Sequence, residues 1–75
     1  RDLAKLVRQR VEEAKVALRN IRRETLDDLR EFSDEKMVSE DQFYRAKEDL
    51  QELTDRYSDM VDKIGEHKQR EILEG

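Results

Sequence analysis

Apolar side chains recur at Leu3, Val7, Val11, Ala14, Leu18, Ile21, Leu29 and Phe32, with Thr25 filling the one gap, and every step is three or four residues. No proline interrupts the run or occurs anywhere in the chain. Steps of three and four bracket the helical turn, so the pattern specifies one continuous α-helix with a single apolar stripe. Taken from about residue 2 to about residue 32, that helix is roughly 45 Å long at 1.5 Å of rise per residue. A rod of this length cannot bury its own stripe. It needs a partner of similar length, which restricts the chain to hairpins, bundles and coiled coils.

The partner follows in the same sequence. Residues 33–38, Ser-Asp-Glu-Lys-Met-Val, break the period and read as a loop. Ser39 then stands as a helix cap, with Gln42 three residues on to complete a capping box. Val38 and Phe43 occupy the positions of a hydrophobic staple, and Glu40 and Asp41 in the first turn suit the positive end of the helix dipole. A second helix over about 39–73 is expected, with a heptad seam at Phe43, Ala46, Leu50, Leu53, Tyr57, Met60, Ile64 and His67, broadened by Val61, Ile72 and Leu73. Gly65 costs about 1 kcal/mol against Ala inside a helix, so it marks either a bend or the close approach of a neighbour. Two long helices with a short connection fold back antiparallel. The expected fold class is all-α, an antiparallel two-helix hairpin. Leu6, Val16, Ala17, Leu26 and Val61 extend the apolar surface beyond one seam, so another helix or a second copy of the chain should cover it.

Composition narrows the functional classes. Of 75 residues, 48% are charged and none is Cys or Trp. A disulfide framework and a thiolate metal site are thereby excluded. No apolar run approaches the roughly 20 residues a membrane span needs. The net charge of −4 hides an asymmetry: residues 1–23 carry eight basic and three acidic side chains, and residues 34–75 seven and thirteen. The first helix also sorts its charge by azimuth. Arg1, Lys5, Arg8, Lys15, Arg19, Arg22 and Arg23 fall within an arc of roughly 100°, with Glu12 the one acid inside it. Glu13, Glu24, Asp27, Asp28 and Glu31 lie elsewhere around the rod, while Arg10 projects toward the apolar stripe. Five of the seven cations are Arg, which forks onto phosphate where Lys offers a point charge. A cationic face fixed to a rigid rod suits folded, phosphate-rich RNA. Phe32, Phe43, Tyr44 and Tyr57 all lie outside the basic segment, so the expected recognition is of phosphate and shape, without base stacking.

The run Glu12-Glu13-Ala14-Lys15-Val16-Ala17-Leu18-Arg19-Asn20-Ile21-Arg22-Arg23-Glu24 resembles the signature of the bacterial ribosome recycling factor family. The resemblance continues in register at Val38-Ser39-Glu40-Asp41, Ala46, Leu50-Gln51-Glu52-Leu53-Thr54-Asp55 and Lys68-Gln69-Arg70-Glu71-Ile72-Leu73. It implies a translation-factor domain that helps release ribosomes from mRNA after termination, together with elongation factor G. It implies that the arginines of the motif contact ribosomal RNA of the large subunit, which carries the assignment to Arg22 first, then Arg19 and Arg23. Lys15 and Arg8 join them on face geometry alone. The resemblance further implies an elongated three-helix bundle of which this chain is the last two helices, the first helix and an inserted β-rich domain preceding Arg1. Cytoplasmic location in a bacterium follows, with organelle origin left open.

The remaining chemistry points away from catalysis. His67 with Glu71 one turn on lacks a third metal ligand, and Ser39 has no base spaced to activate it. No glycine-rich phosphate loop exists, so neither an enzyme nor a cofactor is expected. The alternative reading is a non-catalytic coiled-coil hairpin that acts as a scaffold, with its basic face ordinary solvation.

Overall fold

The computed structural model describes residues 2–75, in which α1 spans Leu3–Asp34 and α2 spans Glu40–Glu74. The two helices lie side by side and antiparallel, in a body 55 × 16 × 9 Å. The all-helical hairpin is the one the apolar period predicts. Arg1, one of the seven cations of the basic arc, lies outside the described residues.

The helix ends follow from local hydrogen bonding. Asp2 caps α1 by accepting from the Lys5 amide at 3.3 Å. Ser39 caps α2: its hydroxyl accepts from the Gln42 amide at 3.1 Å, and the Gln42 side chain accepts from the Ser39 amide at 2.9 Å. This reciprocal pair satisfies two donors that the helix leaves open. Between the helices the chain turns on a Schellman motif. The Met37 amide donates to Phe32 O at 2.9 Å and the Lys36 amide to Ser33 O at 3.0 Å. Lys36 takes the left-handed position with φ of 61°, where glycine is the usual occupant.

The register is read from cross-helix neighbours. Val11 faces Gly65, Lys15 faces Asp62, and Arg22 faces Gln51. At the open end the Gln69 side-chain amide donates to Ala4 O at 3.2 Å. Gly65 is the only fully buried residue described, and a Cβ built on it would meet Val11 Cγ2 at 2.5 Å. Its φ is not positive, so the glycine serves close approach of the helices and not a turn.

On α2 the contact stripe differs from the expected heptad seam. The residues turned toward α1 are Phe43, Ala46, Leu50, Thr54, Ser58, Val61, Gly65, Gln69 and Ile72. Leu53, Tyr57, Met60 and Ile64 are 45 to 60% exposed and His67 is exposed. In the middle of α2 the larger apolar side chains Leu53, Tyr57, Met60 and Ile64 therefore flank the contact, and Thr54, Ser58 and Gly65 lie in it. The apolar arc of α2 is wider than one partner covers, and α1 takes the edge where Thr54, Ser58 and Gly65 let the backbones close up. On α1 the same shift leaves Ile21 at 56% and Leu3 at 59% exposed, with Ala4, Arg22 and Leu26 in contact instead.

No apolar side chain among the described residues is fully buried. The chain exposes 6305 Å², whereas a compact globule of its mass would expose about 4,900 Å². The hairpin thus has two unlike grooves. One is apolar, between Leu6, Arg10 and Ala14 of α1 and Val61, Ile64 and Lys68 of α2. The other, on the opposite side of the helix contact, is polar and carries the basic arc.

Candidate nucleic-acid interface

The polar groove is built from the side chains that leave the α1 contact stripe toward one flank. Arg8, Lys15, Arg19 and Arg22 line it from α1, and Thr54, Asp55, Ser58, Asp62 and Glu66 line it from α2. Four of the five residues assigned to RNA from sequence are therefore brought together along one edge of the rod. Arg23 lies one step further around α1 and is exposed.

The five differ in how they are held. Lys15 is half-buried, and its ammonium donates to both carboxylate oxygens of Asp62, at 3.0 and 3.1 Å. This is the ion pair that ties the two helices across the groove, so Lys15 enters any further contact with its charge already matched. Arg19 lies 3.6 Å from Glu12, the single acid within the basic arc, and its side chain is 51% exposed. Such an exposed pair is weak and is easily exchanged for a stronger anion. Arg22 is half-buried and donates from Nη1 to the Gln51 side-chain oxygen at 3.3 Å. Gln51 in turn donates from Nε2 to Asp55 at 2.9 Å. The relay orients the Gln51 amide so that its oxygen meets the guanidinium, and a guanidinium has five N–H donors to distribute. Arg8 and Arg23 have no ion pair among the described residues.

Sequence reasoning missed the acidic side of the groove. Asp55 and Asp62 sit some thirty to fifty residues along the chain from the basic side chains they face, and only the antiparallel register brings them there. The signal available was the i, i+4 spacing of Gln51 and Asp55 on one helix face. Arg10, the cation that projects toward the apolar stripe, lines the apolar groove and lies 3.7 Å from Glu13, with its head exposed. His67 pairs with Glu71 at 2.9 Å on the exposed surface. Among the described residues no group of three His, Cys, Asp or Glu is placed to hold a metal, and no helix is long and apolar enough to cross a membrane.

The structure is an antiparallel all-helical hairpin with an apolar groove on one side and a basic flank on the other. The sequence model described as Ribosome recycling factor matches residues 1–73. A ribosome-recycling factor of Roseiflexus castenholzii is 62% identical over 74 residues, and one of Roseiflexus sp. is 60% identical over the same length. A more distant one, from Halalkalibacterium halodurans, is 49% identical over 74 residues. Each alignment covers 99% of this chain and 40% of the relative. The chain belongs to the ribosome recycling factor family and spans about two-fifths of the length of these relatives.

Proposed function

We propose that the hairpin is the RNA-gripping part of a ribosome recycling factor. Arg22, Arg19 and Arg23 bind phosphates of large-subunit ribosomal RNA, with Arg8 extending the row and Lys15 contributing beside its Asp62 partner. The observation that carries this reading is the placement of the arginines along one flank of a rigid rod, with Arg22 oriented by the Gln51–Asp55 relay. A preoriented guanidinium loses less freedom on binding than a mobile one, and it matches the two-oxygen geometry of phosphate. The name of the relatives, ribosome-recycling factor, supports the ribosome as the setting.

The work proposed is mechanical and makes or breaks no bond. The arginine flank anchors the rod on RNA at the subunit interface. The apolar groove seats a further helix of the same bundle, and elongation factor G acts on a second domain to drive the subunits apart. This places the protein in the bacterial cytoplasm, without cofactor or metal. The exposed row at Leu53, Tyr57, Met60 and Ile64 supports a third helix, because a monomer with that stripe open to water would be weakly held.

The test is retention on purified large ribosomal subunits. Arg22→Glu should abolish pelleting of the chain with subunits and leave its helical circular dichroism unchanged. Unchanged retention with unchanged helicity would remove Arg22 as the anchor and favour a scaffold with an ordinary solvated face.

A further inference from the structure

The arginine row runs into a cleft at the loop end of the hairpin. Arg22, half-buried, lines one side of it, and Leu26 and Leu50, both half-buried, form apolar walls. From its first three turns α2 also supplies Tyr44, Lys47 and Glu48. The cleft has a volume of about 500 Å³, within the usual range for a site that takes a small organic group. Tyr44 is 56% exposed, and its ring stands edge-on to Phe43, with centroids 5.3 Å apart and planes at 74°. Phe43 is half-buried in the helix contact, so it holds the tyrosine ring in place. An exposed aromatic face, positioned by packing and set beside a guanidinium with donors to spare, is the arrangement with which proteins take up an unstacked base.

We propose that this cleft receives one unpaired nucleotide of the RNA gripped by the arginine row, its base stacked on Tyr44 and its phosphate on Arg22. The proposal rests on the RNA-binding reading and adds a base contact to it. Lys47 neutralises a neighbouring phosphate. Glu48 is an acceptor in the same cleft, available to an N–H donor on the pairing edge of the base. The pairing of Tyr44 with Arg22 joins residues on two helices. It adds a base contact to a flank otherwise suited to phosphates alone.

Binding of the 75-residue chain to purified large subunits, across a salt series, tests the proposal. Tyr44→Leu should weaken binding roughly tenfold, the scale of one base–aromatic stack. Tyr44→Phe, which keeps the ring, should remain within about twofold of the parent by the same reasoning. The slope of log affinity against log salt should be unchanged by either, because no phosphate contact is lost. Tyr44 is exposed, and circular dichroism should show equal helicity in both variants. Parent-like binding by Tyr44→Leu, or equal losses in the two variants, would overturn the stacked base. The RNA reading fails separately, if Arg19→Glu and Arg23→Glu leave subunit binding untouched. A Tyr44→Leu effect present with intact subunits but absent with refolded, protein-free large-subunit RNA would put a protein on the cleft and overturn the nucleotide.

Discussion

Gly65→Ala separates helix propensity from helix packing at one position. Within an isolated helix the change is favourable by about 1 kcal/mol, because alanine loses less backbone entropy. Here the new Cβ would lie 2.5 Å from Val11 Cγ2, whereas carbon atoms rest about 3.5–4.0 Å apart. The helices must part by about 1 Å at their closest point, since the Val11 side chain is branched at Cβ and cannot swing aside. Overpacking of this kind costs about 1–3 kcal/mol. The net expectation is a loss of about 1 kcal/mol, or a fall in Tm of about 5 °C for a chain of this size.

Val11→Ala removes the clashing methyl group. In that background Gly65→Ala should become stabilising by up to about 1 kcal/mol, since only the propensity gain remains. The two sites should therefore couple by about 2 kcal/mol in a double-mutant cycle, measured by circular dichroism melts at one fixed protein concentration. A stabilising Gly65→Ala in the parent, or the same effect in both backgrounds, would refute close approach as the reason for glycine.

Three further outcomes are expected. Lys36→Gly should raise stability by about 0.5–1 kcal/mol in a urea titration, because the left-handed C-cap position strains any residue with a Cβ. Ser39→Ala removes the hydroxyl that accepts from the Gln42 amide and should cost about 1 kcal/mol, read as a lower urea midpoint. The chain should self-associate through its apolar groove, with sedimentation velocity showing a rise in mass with concentration. Ile64→Glu, at a position 60% exposed, should return it to the monomer with its helicity intact.

The hairpin was legible because two signals act locally. The three-and-four apolar period of α1 and the Ser39–Gln42 box of α2 each depend on residues within one or two turns. Lys36 was not legible as a turn residue, since no glycine announces the left-handed position and the adjoining hydrogen bonds decide it. The α2 contact stripe was misplaced for a different reason. Hydrophobicity ranks Leu53, Tyr57, Met60 and Ile64 above Thr54, Ser58 and Gly65, but the pairing with α1 rewards closeness more than size. The strong apolar positions point to a second surface that a two-helix chain leaves open. The arginine row was legible by azimuth alone. Its acidic neighbours Asp55 and Asp62, and the aromatic Tyr44 beside Arg22, required the antiparallel register, which no local pattern encodes.

The register also explains how one helix carries two incompatible surfaces. α1 must adhere to α2 and still offer positive charge outward. An uncompensated row of cations beside the helix contact would repel itself and loosen the pairing. Lys15, half-buried with a side chain 28% exposed, is matched by Asp62 on α2. Arg22, also half-buried, is held by a neutral amide, which orients the guanidinium without cancelling its charge. Arg19 pairs only with exposed Glu12, and Arg8 and Arg23 have no ion pair among the described residues. Compensation therefore decreases from the helix contact outward. The cation that holds the helices together is neutralised, and those on the outer flank keep their charge for a phosphate surface. Replacing Gln51 by Glu would reverse this at Arg22. It would strengthen the contact between the helices and cancel the charge that the proposed RNA site depends on.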